Sequence, residues 1–200
     1  MTDLPDLLAQ DRIRCGCEIR SKKRALQTIA ELLGASLRDD PAETGAEDDS
    51  DALPHTGPGT DANTDTSARD VARDADSADA TQEPTISDMD ILDALITRER
   101  LGSTGIGHGF ALPHSRLAGI EEPLAALVTL TDGVDFEAID DVAVDVVVGL
   151  LVPKECNDEH LQILATLARR FKDAEQRDAI RSCTDAKALM SYLTSTSPSA

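Results

Sequence analysis

The residue whose type and setting best suit it to chemistry is the histidine that ends the run Phe110-Ala-Leu-Pro-His114. Pro113 fixes its own backbone and pushes Leu112 towards extended geometry, so the imidazole projects from a stiff segment. Near neutral pH an imidazole with a pKa of about 6.5 is largely uncharged and keeps one nitrogen lone pair that can attack phosphorus. The competing reading is a histidine satisfied by hydrogen bonds at the end of a strand. Immediately upstream, glycines at 102, 105, 107 and 109 alternate with Ser103, Thr104, Ile106 and His108. Glycine at this density frees the backbone for close approach, and a loop rich in amides and hydroxyls can gather an anion through convergent N–H groups. Ser103, Thr104, Gly105 and Gly107 are the candidate phosphate-binding residues of that loop. The spacing fits neither a dinucleotide fingerprint nor a P-loop, because the glycines follow a helical pattern rather than a strand.

The elements that must hold this stretch are legible on either side of it. Ser87 can cap a helix carrying Met89, Ile91, Leu92, Leu95 and Ile96, which runs out near Gly102. Ser21 can cap an earlier amphipathic helix through Ala25, Leu26, Ile29, Leu32 and Leu33. Downstream, 124–130 and 142–152 are β-rich apolar runs expected to pair as neighbours, the second so continuous that both its faces must be covered. Asn157 and Asp158 can cap a further helix with Leu161, Ile163, Leu164 and Leu167, and shorter helices are expected over 174–181 and 185–193. The fold class is therefore α/β, a single domain with a mixed central sheet and helices on both faces.

Residues 39–83 break this pattern. They hold fourteen acidic residues against Arg69 and Arg73, with Leu53 and Val71 as their only large apolar side chains. Burial there cannot offset a backbone ordering cost of about 1–2 kcal/mol per residue, so the segment reads as a long disordered acidic insertion between 1–38 and 84–200. The whole chain of 200 residues carries 38 acidic and 19 basic residues, a formal charge of -19. That field repels phosphate backbones and anionic headgroups, and 2% aromatic residues leave little for base stacking, so neither a nucleic-acid partner nor membrane insertion is expected. Cys15, Cys17, Cys156 and Cys183 match no zinc or disulfide frame, no metal is expected, and the N-terminus has no leader pattern. The expected location is cytoplasmic.

The run Arg98-Glu-Arg-Leu-Gly-Ser-Thr-Gly-Ile-Gly-His-Gly-Phe-Ala-Leu-Pro-His114 closely resembles the active-site signature of enzyme IIA proteins of the fructose and mannitol class in the phosphoenolpyruvate-dependent phosphotransferase system. Ser21-Lys-Lys-Arg-Ala-Leu26, Phe136-Glu-Ala-Ile-Asp140 and Gly149-Leu-Leu-Val-Pro153 resemble its nitrogen-regulatory branch. The resemblance implies that His114 is the phosphorylated nucleophile through its far ring nitrogen. It also implies that Arg98, before Glu99 at a helix end, steadies the phosphoryl group, and that His160 of Asn157-Asp-Glu-His-Leu-Gln162 is a second site histidine. No cofactor is implied. The donor would be an HPr-like phosphocarrier, and the recipients regulatory targets or, for the sugar-transport alternative, a IIB domain. His108 and Arg116 flank the loop and read as rim residues. Phe110, in place of a branched aliphatic, and the acidic insertion depart from the family pattern.

Overall fold

The computed structural model describes residues 3–38, 86–155 and 158–196. The expected insertion at 39–83 lies outside the described residues. In chain order the elements are α1 (Leu4–Leu7), β1 (Leu8–Cys17), α2 (Lys22–Arg38), α3 (Asp88–Arg100), β2 (Gly105–Gly107), β3 (Phe110–Ala111), β4 (His114–Leu117), β5 (Leu124–Val134), β6 (Val144–Pro153), α4 (Asp158–Arg170), α5 (Ala174–Ser182) and α6 (Ala186–Ser195). Two of the caps expected from sequence form, at Ser21 and Ser87. Ser21 Oγ accepts from the Arg24 amide at 3.2 Å, and Ser87 closes a capping box with Asp90 that satisfies the first free amides of α3. No described helix is long and apolar enough to cross a membrane.

The strands form one mixed sheet in the order β1-β5-β6-β3-β2, with β4 also pairing β6. β5 and β6, the two apolar runs, are antiparallel neighbours, while β1 lies parallel to β5 and both β3 and β4 lie parallel to β6. β6 is therefore covered on both edges and both faces, which is why its sequence reads as an unbroken apolar run. One face packs Val147 and Leu151 against Ile29 and Leu33 of α2 and Leu95 of α3. The other packs Val148 and Leu150 against Leu4 of α1, Ile163 and Leu167 of α4, and Leu189 and Leu193 of α6. Each fully buried side chain of this size contributes about 1.5–3 kcal/mol. Helix α2 sits so close to the sheet that a Cβ on Gly149 would overlap Ile29.

Two polar ties hold the ends of the fold. Arg170, nearly buried, donates to Asp3 Oδ2 at 2.6 Å, to the Leu193 carbonyl at 3.1 Å and to Thr196 Oγ1 at 2.9 Å, joining the first helix to the last. Arg38 at the end of α2 donates to Asp88 Oδ1 at 2.6 Å, so the points where the described chain stops and resumes are side by side. β1 has no clear counterpart in the sequence pattern. It is an edge strand in which only Leu8 and Ile13 are buried, and Gly16, at φ 64°, breaks its alternation.

Candidate functional site

Pro113 leads directly into β4, and its carbonyl accepts from the Leu150 amide at 2.9 Å, so His114 begins its strand already in register opposite Leu150. The imidazole Nδ1 lies 2.8 Å from the Leu112 carbonyl, while Nε2 lies 3.0 Å from Arg98 Nε. Because Arg98 Nε–H donates to Nε2, the ring proton of neutral His114 resides on Nδ1, where it donates to Leu112. The far nitrogen thus carries the lone pair. Burial pushes the His114 pKa below its ordinary value; the Leu112 bond opposes that shift and the charge of Arg98 adds to it. The histidine is neutral and aimed.

Arg98 stands in the last turn of α3, a helix that buries Ile91, Leu92 and Leu95. Its Nη1 donates to the Gly102 carbonyl at 3.0 Å, which holds the guanidinium over the helix end. The next residue points the other way. Glu99 Oε2 accepts from the Thr104 amide at 3.1 Å and the Thr104 hydroxyl at 2.5 Å, and its Oε1 pairs with Lys22 Nζ at 2.8 Å. The pair Arg98-Glu99 therefore divides its labour, one side chain entering the cleft and the other anchoring the helix end to α2 and to the following turn.

His160 sits in the first turn of α4, on the face that also buries Ile163 and Leu167. Its ring lies 5.3 Å from that of His114, centroid to centroid, at 67°. Arg116 Nε–H donates to His160 Nδ1 at 3.0 Å, which leaves the proton of the neutral ring on Nε2. That Nε2 is buried with no hydrogen-bond partner among the described residues. Burial first, then the neighbouring His114, Arg116 and Arg98, push the His160 pKa down to about 4. Arg98, His114, Arg116 and His160 line one cleft of about 530 Å³ together with Asp93, Thr97 and Leu101.

The glycine-rich stretch folds differently from an open loop. β2 and β3 form a tight antiparallel hairpin whose turn, Gly107-His108-Gly109, has positive φ throughout (91°, 57° and 80°). A Cβ on Gly105 would come within 2.7 Å of Ala138 Cβ, so that glycine serves the close packing of the 136–140 segment. Ser103 Oγ donates to the Phe136 carbonyl at 2.5 Å and accepts from the Gly105 amide at 3.0 Å, while both donors of Thr104 go to Glu99. None of Ser103, Thr104, Gly105 and Gly107 lines the cleft of His114. His108 is exposed at the hairpin tip, its amide donating to Asp140 Oδ2 at 2.7 Å. The structure thus brings together Arg98, His114 and His160, keeps the four loop residues apart from them, and adds Arg116 to the cleft and Glu99 behind it.

The family model described as phosphoenolpyruvate-dependent sugar phosphotransferase system, EIIA 2, matches residues 75–196. The chain belongs to this family. Among relatives of this EIIA 2 chain, a nitrogen regulatory protein of Pseudomonas aeruginosa is 42% identical over 106 residues, covering 53% of this chain and 69% of that protein. A fructose-specific EIIA component of Haloferax volcanii is 35% identical over 89 residues, 44% of this chain and 58% of that protein. The crystal structure of the nitrogen regulatory protein IIA-Ntr from Neisseria meningitidis superposes with a TM-score of 0.67 at 25% identity, over 94% of this chain and 97% of that one. Phe110, which stands in place of the expected branched aliphatic, is fully buried. Its ring stacks on Phe171 at 4.9 Å, and the Arg181 guanidinium lies 5.0 Å over it.

Proposed function

We propose that this EIIA 2 chain is a phosphohistidine phosphocarrier of the nitrogen-regulatory kind, accepting its phosphoryl group from an HPr-like protein on His114. The observation that carries the reading is the tautomer of His114, with Nδ1–H donating to Leu112 and the Nε2 lone pair facing an arginine in an open cleft. In transfer, that lone pair forms the new N–P bond as the donor's N–P bond breaks and returns its electron pair to the donor ring. The proton stays on His114 Nδ1, still donating to the Leu112 carbonyl, and the positive charge of the phosphorylated ring offsets part of the incoming dianion. Arg98 exchanges its contact with Nε2 for one with a phosphoryl oxygen, supplying charge where charge arrives.

Charge on His114 then changes what can dock over the cleft, which suits a regulatory component that partners read in one state only. This reading implies a cytoplasmic protein. The fructose-specific relative supports a second reading, in which the same phosphoryl group passes to a IIB domain of a sugar permease. Incubation with phosphoenolpyruvate, enzyme I and an HPr-like carrier should add one acid-labile phosphoryl group, and His114→Ala should abolish it. Labelling that persists in the variant removes His114 from the role.

A further inference from the structure

Four groups converge on the cleft: His114 and Arg98, which have roles in the transfer proposed above, His160 beside them, and Arg116. The fourth, Arg116, projects from β4 two residues beyond His114 and is exposed. Its Nε–H donates to His160 Nδ1 at 3.0 Å, and this contact joins residues 44 positions apart in sequence. The other nitrogen of the same ring, Nε2, is buried and has no hydrogen-bond partner among the described residues. A buried donor left without an acceptor is unfavourable, and such groups are few in folded proteins. The group that lacks an acceptor lies in the ring beside His114, where a phosphoryl group would bring several strong acceptors at once.

We propose that Arg116 is a positioning residue that acts through His160: by donating to Nδ1 it holds the ring in the Nε2–H tautomer, so that a hydrogen-bond donor stands ready beside the phosphorylated nitrogen of His114. The sign of the interaction depends on this tautomer. With the proton on Nδ1 instead, the ring would set N–H against the N–H of Arg116 and turn a lone pair towards a dianion. With the proton on Nε2, both ring nitrogens find complementary partners once the phosphoryl group arrives. The low pKa of His160 fits this assignment, since a neutral ring has a tautomer to choose and an imidazolium does not. The arrangement parallels the way a group behind a catalytic histidine selects its tautomer elsewhere in enzyme chemistry.

The proposal rests on the phosphocarrier reading for its consequence but not for its geometry, and one experiment separates the two. The full chain, with 15N-labelled histidine, is prepared as wild type, Arg116→Met, His160→Ala and the double variant; His160→Ala assigns the His160 signals. Because Arg116 is exposed, its replacement leaves the core untouched, and Arg116→Gln provides a second variant that retains a polar side chain. In wild type, His160 should show a protonated Nε2 and an unprotonated Nδ1, and in Arg116→Met the two nitrogens should shift towards a mixture. Phosphoryl transfer to His114 should slow roughly tenfold in Arg116→Met, as expected for losing one hydrogen bond to a charged group. The double variant should be no slower than His160→Ala within about twofold, since residues acting through one contact are non-additive. A His160 pattern unchanged in Arg116→Met overturns the proposal. So does a double variant in which the two losses multiply, which would make Arg116 a direct ligand of the phosphoryl group. If wild type accepts no phosphate at all, the phosphocarrier reading fails, while the nitrogen signals still report whether Arg116 sets the tautomer.

Discussion

Replacing Arg98 with methionine keeps most of the side-chain volume and removes the charge that faces Nε2 of His114. Arg98 Nε lies 3.0 Å from that nitrogen, so the oxygens of a phosphoryl group bound there fall within about 4 Å of the guanidinium. At that separation and an effective dielectric of about 20, one charge pair is worth about 4 kcal/mol before desolvation. The cleft is open to water, however, and measured hydrogen bonds to charged groups are worth about 1.5–3 kcal/mol. An opposing contribution must be subtracted: in the free protein the same Nε–H is bonded to the lone pair that has to attack, and releasing it costs about 1 kcal/mol. The net is about 0.5–2 kcal/mol, a shift of roughly two- to thirtyfold in the transfer equilibrium with the carrier. Arg98 also bonds the Gly102 carbonyl from an exposed helix end, so unfolding should lose only about 0.5–1 kcal/mol.

The assay is to titrate phosphorylated carrier against unphosphorylated Arg98→Met at fixed pH, reading both phosphohistidines by 31P spectroscopy, with urea unfolding as the control. The expected result is a phospho-form roughly tenfold less favoured than in wild type, in a protein of nearly unchanged stability. An equilibrium within twofold of wild type would refute the argument that Arg98 stabilises the phosphoryl group. An equilibrium moved in favour of the phospho-form would show that the bond to Nε2 restrains the nucleophile more than the charge helps the product.

Two further outcomes follow from the same contacts. His160 and His114 titrate below the ordinary imidazole value in the folded protein, so below about pH 6.5 the unfolded chain binds more protons than the folded one. Their stabilising contribution is therefore present above that pH and is lost as pH falls towards about 4, with a slope of up to about 1.4 kcal/mol per pH unit for each proton; urea unfolding of wild type and His160→Gln across pH 7 to 4 should show a shallower fall in the variant, and parallel curves would contradict the buried neutral ring. We also propose that 39–83 is dispensable: because Arg38 and Asp88 already meet at 2.6 Å, replacing those residues with a short glycine-serine linker should leave phosphate acceptance by His114 within about twofold at 0.15 M salt, where charges beyond about 8 Å are screened, and a larger loss would give that segment a part in the reaction.

What the sequence determined by itself is the part of the protein encoded by local signals. The helices α2 and α3 are written in 3.6-residue periodicity with Ser21 and Ser87 at their starts, and β5 and β6 in apolar runs that only a covered strand tolerates. The stiff Pro113-His114 step and the Arg98-Glu99 helix end are likewise short-range patterns, which is why the family could be read from them. β1 was not legible, because an edge strand buries so little that its composition need not alternate. The glycine run was legible as unusual but not as a hairpin, since the partner that demands Gly105 is Ala138, brought in from another segment. Nor could spacing show that Glu99 turns inward to Lys22 and Thr104, or that Arg116 reaches His160. The family resemblance implied the far nitrogen of His114, but the tautomers themselves, a lone pair on Nε2 of His114 and a proton on Nε2 of His160, are set by the tertiary structure. A ring tautomer depends on which donor or acceptor lies against each nitrogen, and here those neighbours come from separate helices and strands.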